Sequence, residues 1–178
     1  MTPEQIARQT AEANLAAARS VGLPMTQAQA NAGFVPIFWD GVWALDVTAV
    51  VMNAMHNTID ASWNDVRFVT QLPSWFYRQM NHDGPWDIKL EHRWDQTIAP
   101  GSFPGGGVVI YMGGHLMTPN RLGNFTYGYI GTAVGFPDRI LQFGSWYAAG
   151  FPIFGRYARA ERADWQDILL GINAWRNR

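Results

Sequence analysis

The chain has 178 residues, and 48% of them are apolar, which is enough to fill one compact core and hardly two. Its 13 basic residues are scattered without a run, against 14 acidic ones, so the sequence disfavours nucleic acid as a partner. Proteins that bind by neutralising many phosphates usually carry a basic stripe. The absence of cysteine excludes disulfides, thiolate metal sites and thiol nucleophiles.

The first element is a helix. Thr2 followed by Pro3 is typical of a helix start, and the alanine-rich run reaches Arg19 before Gly22 interrupts it. The start lacks cationic residues followed by an apolar block, so we do not interpret it as a secretory signal peptide. The next segment, "GLPMTQAQANAGFVPIF", has little periodicity, and we interpret it as a surface loop. We therefore separate residues 1–39, a helix and a loop, from a main domain at 40–178.

Two helices are predicted next. Between Asp40 and Asp60, apolar residues recur at a spacing of three to four, which predicts a helix with one buried face on Val42, Leu45, Ala49, Met52 and Met55. A second helix is predicted over 63–80, with a break or a kink at Pro73. The longest apolar stretch, "VWALDVTAVVMNAM", is interrupted by Asp46 and is shorter than the roughly 20 residues that a membrane-spanning helix needs.

The segment "NHDGPWDIKLEHRWDQ", residues 81–96, concentrates acidic and imidazole side chains around Lys89, the only lysine of the chain. In an extended segment Asp87 and Lys89 would share a face, whereas in a helix Asp87 and Glu91 would do so. Trp86 precedes the carboxyl group, and an indole ring keeps water away from a general acid. We predict Asp87 as a general acid or base assisted by Lys89 or Glu91. The alternative is an ordinary ion pair of Asp87 and Lys89, with Trp86 in the core.

"VVIYMGG", residues 108–114, predicts a strand, and a lone strand implies a short hairpin with its neighbours. A helix should follow from Thr118 and Pro119, and its four glycines require close packing. "RADWQDILLGINAW" predicts a C-terminal helix whose inward residues are Trp165, Ile168, Leu169, Ile172 and Trp175. The predicted fold is mainly α (α+β), a single compact helical domain with a small β-hairpin.

The remaining polar residues allow more than one interpretation. His115, between the predicted strand and the glycine-rich helix, is placed for acid and base chemistry, because imidazole exchanges protons near neutral pH. His82, His92 and His115 with Asp83 or Asp95 lack any usual metal-ligand spacing, so we predict neither a metal nor another cofactor. His56 is predicted to be structural. Asn124 and Tyr127 could line a pocket wall and orient substrate, or could pack as a cap and as core.

Three segments in order, "GPWDIK", "GNFTYGYIGTAVGF" and "ADWQDILLGINAW", give the chain a resemblance to a known family. Over about residues 46–175 it resembles the polymorphic toxin type 44 domain of interbacterial effectors. Members show Gly-Pro-Trp-Asp-x-Lys, then Asn-x-x-Tyr-Gly-Tyr-x-Gly-x-Ala-x-Gly-Phe, then a helix with Asp-Pro-x-Asp-Gln-x-x-Ile-x-x-Gly. Here "RADWQD" lacks the proline of the last motif, and we assign Asp164 and Asp167 no role in the reaction. "TIAPGSFPGGG" departs from the pattern as a local insertion.

The resemblance implies a toxin that leaves its cell through a secretion system such as type VI, without a signal peptide, and acts in a target cell. It also implies a cognate immunity protein and a secretion carrier protein, for which residues 1–39 are the candidate docking segment. Because the family retains the Asp and Lys of its first motif, the resemblance favours the catalytic interpretation of Asp87 and Lys89.

Three functions follow as hypotheses. The favoured one is a hydrolase acting on peptidoglycan in the target envelope, since the near-neutral charge, aromatic content and freedom from disulfides suit a periplasmic wall enzyme. The second is a cytoplasmic RNase using His115 with Lys89 or Arg121 about the scissile phosphate. The third is a non-enzymatic binding module. The predicted catalytic residues are Asp87, Lys89, Glu91 and His115, and the predicted substrate-binding residues are Trp86, Arg121, Asn124 and Tyr127.

Overall fold

Eight helices and one four-stranded sheet occupy the described residues of the computed structural model, which are 1–64, 68–148 and 156–178. The mainly α prediction with a small β element is therefore confirmed. In chain order the elements are α1 Pro3–Ser20, α2 Gln27–Asn31, β1 Val35–Trp39, β2 Val42–Asp46, α3 Thr48–Trp63, α4 Phe68–Met80, α5 Glu91–Thr97, β3 Ile110–Met112, β4 His115–Met117, α6 Pro119–Ala133, α7 Asp138–Ala148 and α8 Arg156–Arg176.

These elements form two compact units, each made of two stretches of chain. Unit 1 comprises Met1–Ala54 and Ile88–Pro119, and unit 2 comprises Met55–Asp87 and Asn120–Arg178. One boundary falls inside α3 and another directly after Asp87. Among the described helices, none combines the length and the apolar character needed to cross a membrane.

Helix α1 begins where the sequence predicts. The Thr2 hydroxyl accepts a hydrogen bond from the Gln5 N–H, and the Gln5 side chain accepts one from the Thr2 N–H. This reciprocal pair satisfies two backbone donors that the first turn would otherwise leave unpaired.

The segment after α1 is not the surface loop that we expected. It contains α2, which begins with the same reciprocal cap between Thr26 and Gln29, followed by strand β1. The loop prediction missed the cap, a polar pair at a spacing of three, because the prolines and glycines around it masked the periodicity. Ala30 of α2 packs with Ala11 and Leu15 of α1 in a small cluster of unit 1.

Residues 42–46 form strand β2, so the helix predicted from Asp40 is wrong over its first eight residues; α3 begins at Thr48. The reason is the turn "DG", in which Asp40 and Gly41 both have positive φ, at 48° and 80°. Two such residues join strands whose twist matches, and Trp39 lies opposite Val42 across the turn. Val42 and Leu45 thus belong to a strand although their spacing also suits a helix.

The strand predicted at 108–114 is present as the shorter β3, and the implied hairpin pairs it with β4 through Gly113 and Gly114, which have positive φ. It extends the first hairpin into a sheet of order β1-β2-β3-β4, because β3 pairs parallel to β2. His115 is therefore not in a turn after the strand; it lies in β4 opposite Met112.

Unit 1 has an aromatic core around Trp94. Trp94 of α5 is fully buried and meets the rings of Phe34 and Phe103 at centroid distances of 6.2 and 5.9 Å. Its indole N–H donates to the Ser102 hydroxyl at 2.9 Å, so the buried polar group is satisfied.

Unit 2 is built on the packing of α6 against α8. A Cβ at Gly128 of α6 would overlap the Ile168 carbonyl, and one at Gly171 of α8 would overlap the Phe125 carbonyl. Close packing, the reason we expected for the glycines of α6, thus applies to Gly128 and to Gly131, whereas Gly123 has open space around it. Pro73 lies inside α4, which continues through it, and residues 65–67 of the helix predicted over 63–80 lie outside the described part.

Candidate functional site

The loop after α4 is wound tightly onto the end of that helix. The Trp86 N–H donates to the Gln79 carbonyl and the Asp87 N–H donates to the Gly84 carbonyl, each at 2.9 Å. Asp83 has φ of 62°, and a Cβ at Gly84 would lie within 2.9 Å of the Arg78 and Gln79 carbonyls. The sequence "HDGPWD" therefore forms this loop because only glycine fits where the chain turns back on α4.

The Asp87 carboxylate lies at the centre of this loop. It is 7% exposed, and its Oδ2 accepts a hydrogen bond from the Asp83 N–H at 2.9 Å. The same oxygen lies 3.9 Å from Nδ1 of His82, whose side chain is 86% exposed. The loop thus places a buried carboxylate against an imidazole that faces solvent.

Trp86 is 2% exposed, so its indole is buried and offers no ring face to a solvent-borne ligand. The role that we considered for this ring, an apolar wall that keeps water from the Asp87 carboxyl group, stays a prediction. An apolar wall next to a carboxyl group is a common setting for acid and base chemistry.

Lys89, Glu91 and His115 belong to unit 1, and all three are exposed. Residues 88–90 are turns and α5 begins at Glu91, so Asp87 is neither in a strand with Lys89 nor in a helix with Glu91. Both face-sharing arguments from sequence spacing are therefore wrong. The cause is the tight loop at Gly84, which interrupts any regular period.

A second cluster of polar side chains lies between α6 and α8. In it, two of the predicted substrate-binding residues bind acidic partners. Arg121 binds the buried carboxylate of Asp167 through Nε and Nη2, at 3.1 and 2.8 Å to Oδ1. This hydrogen bond raises the pKa of the Arg121 guanidinium, whose side chain remains 46% exposed. One turn on, the Asn124 amide donates to the Asp164 carboxylate at 2.9 Å.

Tyr127 is held by packing and by one hydrogen bond. Its hydroxyl donates to the Leu141 carbonyl at 3.0 Å, and its ring lies 5.2 Å from that of Phe76. Burial raises the pKa of Tyr127 to about 12. These contacts are those of a core residue, which was one of our two interpretations.

His56 is a structural histidine in this arrangement. A ring nitrogen of His56 lies 2.8 Å from the Tyr129 hydroxyl, and the two rings are in contact inside unit 2. The histidine thus satisfies the hydroxyl of a buried tyrosine.

Among the described residues, no three His, Asp or Glu side chains are grouped as a metal ion would require. Asp95 of α5 has a buried Oδ1 without a hydrogen-bond partner in the described part of the chain. One oxygen atom does not define a metal site, since even catalytic zinc has three protein ligands.

Comparison with known protein families identifies the class of protein that contains the Asp87 loop and the polar cluster between α6 and α8. Residues 74–177, more than half of the chain, match a family of bacterial toxin domains. The chain belongs to the bacterial toxin 44 family. No curated protein and no solved structure matches it.

Two residues of these groups were missed by sequence reasoning. Asp167 received no role because its segment departs from the family motif, yet it is buried and holds Arg121. His82 was considered only as a metal ligand, although it contacts Asp87. The sequence signal for His82 was its spacing of five from Asp87 across "DGP", which predicts a turn that brings the two ends together.

Proposed function

We propose that this toxin is a hydrolase that cleaves peptidoglycan in the envelope of the target cell, with Asp87 as a general acid and base. The observation that carries the proposal is the buried Asp87 carboxylate in contact with the exposed imidazole of His82. A carboxylate inside a protein is costly unless a function or a partner retains it. Asp87 also lies within residues 74–177, which match the toxin family.

The contact supplies the chemistry that hydrolysis needs. A general base accepts a proton from the attacking water, and a general acid returns one to the leaving group. In this proposal Asp87 exchanges the proton, and the exposed His82 imidazole, 3.9 Å from the carboxylate, meets the substrate at the surface. Trp86 and Asp87 are both buried, and we assign the Trp86 ring the role of keeping water from the carboxylate.

The other predicted residues have supporting roles in this proposal. Arg121 is half exposed and held by Asp167, so its guanidinium would bind a carboxylate of the peptide stems of peptidoglycan. Asn124 and Tyr127 would support the wall beside it through their bonds to Asp164 and Leu141. Lys89, Glu91 and His115, all exposed, stay predicted helpers. Alanine variants of these three should lower toxicity while the melting temperature is preserved.

The cellular setting follows from the toxin role and the charge of the chain. A near-neutral protein without cysteine folds independently of the redox state of its compartment, which suits action in the periplasm. We propose that a secretion system delivers it with a carrier protein, and that a cognate immunity protein blocks it in the producing cell.

The test is toxicity in a sensitive bacterium that expresses the protein with and without an added export signal. We expect killing with lysis only when the protein is exported. Asp87→Asn and His82→Gln should each abolish killing and slow the release of soluble fragments from purified peptidoglycan by about 10²-fold or more, the usual contribution of general acid and base catalysis.

Two variants serve as matched controls. Asp138→Asn removes a carboxylate from a surface ion pair with Arg176, and His92→Gln removes another exposed histidine of the same cluster. Both should remain toxic. Killing from the cytoplasm alone would overturn the proposal and direct the search to RNA, and full activity of the His82→Gln variant would exclude His82 from the mechanism.

A further inference from the structure

The tip of the β1–β2 hairpin, residues 38–43, carries a set of exposed apolar side chains. The exposed fractions are 56% for Phe38, 42% for Trp39, 43% for Val42 and 41% for Trp43. Below the tip, Ala44 and Leu45 of β2 are at most 1% exposed, whereas Val35 of β1 is 44% exposed. The aromatic residues are thus confined to the end of the hairpin and are not part of the core of unit 1.

Cross-strand contacts hold the rings of this hairpin tip in fixed positions. Phe38 lies opposite Trp43, with ring centroids 5.3 Å apart, so both rings are on one face of the hairpin. Trp39 belongs to the other face and meets the ring of Tyr111 edge-on at 5.2 Å. The two-residue turn at Asp40 and Gly41 fixes the register. A ligand would therefore meet ring faces that are already oriented, which lowers the entropic cost of binding.

The charge of the hairpin itself limits the kind of ligand. The hairpin contains no lysine or arginine, and Asp40 occupies the apex of its turn. Anionic lipid and nucleic acid are bound through clusters of basic residues, and an acidic apex opposes entry into a bilayer. The charge pattern therefore favours a neutral ligand.

Two further features disfavour a protein ligand. β1 is an edge strand that contains Pro36, and proline in an edge strand opposes the addition of another strand. The hairpin tip has six residues, whereas a stable protein interface uses about 20 to 30 residues on each side. The hairpin tip alone is too small to hold a second copy of the chain.

We propose that the hairpin tip binds the sugar rings of a neutral glycan, with Phe38 and Trp43 as the stacking pair. Indole and phenyl rings offer an apolar face to the C–H face of a sugar, and indole adds an N–H donor for a sugar hydroxyl. The choice of the N-acetylated glycan strand of peptidoglycan as the ligand rests on the proposed function. In that case the hairpin tip is an anchoring site on the polymer, separate from the residues that carry the reaction.

The test measures binding in an Asp87→Asn background, so that the polymer is not degraded during the assay. Co-sedimentation with purified peptidoglycan sacculi and titration with soluble N-acetylglucosamine oligomers are compared for Trp43→Ala, Phe38→Ala and the parent. We expect each substitution to weaken binding about tenfold or more, in the range found for truncation of an aromatic anchor. Because both residues are exposed, the melting temperature should be preserved.

The matched control is Trp146→Ala, which removes a tryptophan of α7 with a similar exposure of 43%. It should bind as the parent does. Equal binding by the parent and by Trp43→Ala would overturn the proposal, and so would binding only to phosphatidylcholine vesicles. If the hairpin tip binds the sacculi but the protein with Asp87 intact never hydrolyses them, the glycan site stands and the hydrolase proposal fails.

Discussion

The Asp167 carboxylate lies inside unit 2, while its partner, the Arg121 guanidinium, is half exposed. Removing Asp167 and removing Arg121 have unequal effects on stability. Without Asp167, Arg121 can turn to water, whereas without Arg121 the carboxylate remains buried and loses its strongest partner. The pair is thus a sensitive point of the α6–α8 packing, whichever function it serves.

We expect Arg121→Met to lower the free energy of unfolding by about 3 kcal/mol, because it leaves a buried charge without compensation. The double variant Arg121→Met/Asp167→Leu should recover most of this loss, since replacing both charges by apolar groups is often neutral. Urea unfolding of Arg121→Met, of Asp167→Leu and of the double variant measures the coupling between the two residues. As a control, Arg176→Met removes the exposed pair with Asp138 and should cost less than about 1 kcal/mol. A double variant as unstable as Arg121→Met would contradict this account.

Tyr127 gives a prediction for alkaline pH. Its pKa is raised to about 12 by burial, while a tyrosine in an unfolded chain has a pKa of about 10. Below pH 10 both states keep the proton, and the contribution to stability is complete. As pH rises from 10 towards 12, the unfolded state releases its proton first, and stability falls by up to about 1.4 kcal/mol per pH unit.

Tyr127→Phe tests this pH dependence, because phenylalanine does not ionise. At pH 9 the variant should be less stable by about 1 kcal/mol, since the Leu141 carbonyl loses its donor. At pH 11.5 the difference in stability between the variant and the parent protein should vanish or reverse. Urea unfolding at both pH values measures it, and a stability difference that is the same at both would show that Tyr127 ionises like an exposed tyrosine.

At the scale of elements, α6 contains two glycines with opposite surroundings. Gly128 faces the Ile168 backbone, and an added Cβ would lie 2.9 Å from the carbonyl carbon, whereas Gly123 has nothing within 4 Å. Gly128→Ala must therefore separate α6 from α8 and should cost about 2 to 3 kcal/mol. Gly123→Ala should gain about 0.5 to 1 kcal/mol from the higher helix propensity of alanine. Thermal unfolding of the two variants checks both signs, and a loss at both positions would contradict the packing explanation.

The helices and strands also show how much of the fold can be predicted from the sequence. Caps and turns with a local cause, such as Thr2 and the Gly113–Gly114 hairpin, are predicted correctly. The first hairpin was missed because Val42 and Leu45 fit a helical spacing as well as a strand, and only the Asp40–Gly41 turn distinguishes the two. Which strands pair beyond a hairpin, such as Leu45 with Ile110, depends on contacts far apart in sequence.

In the candidate site, too, the sequence indicates contacts within one loop but not contacts between distant segments. The cluster of charges around Asp87 is visible in the sequence, and its local partner His82 lies within the same loop. The partner of Arg121 is 46 residues away, on a segment that differs from the family motif. Local chemistry does not predict that contact, because it depends on how α6 packs against α8.

At the scale of the whole molecule, both units are discontinuous in sequence, so the chain does not divide into N-terminal and C-terminal halves. Unit 1 joins residues 1–54 to residues 88–119. Residues 1–39 therefore contribute α1, α2 and β1 to a unit that also contains later strands. Their predicted role as a docking segment for a carrier stays a proposal, and any such role must coexist with their packing in unit 1.

Deletion of residues 1–39 tests whether this segment is separable. The remaining chain, 40–178, keeps all residues that match the toxin family. It loses the buried side chains of Leu15 and Phe34, whose burial contributes about 1.5 to 3 kcal/mol each, and it exposes the edge of β2. Against a typical total stability of about 5 to 15 kcal/mol, these losses and the missing strand should unfold unit 1.

We therefore expect the shortened protein to aggregate or to lose sheet signal in circular dichroism, and to lose toxicity even when it is exported. Size-exclusion chromatography and the export assay measure both effects. A matched control is the full chain with Ile6→Ala, which alters an exposed side chain of α1 and should behave as the parent. If the 40–178 chain stays folded and kills when exported, residues 1–39 are separable from the toxin, and a role limited to delivery becomes the better account of them.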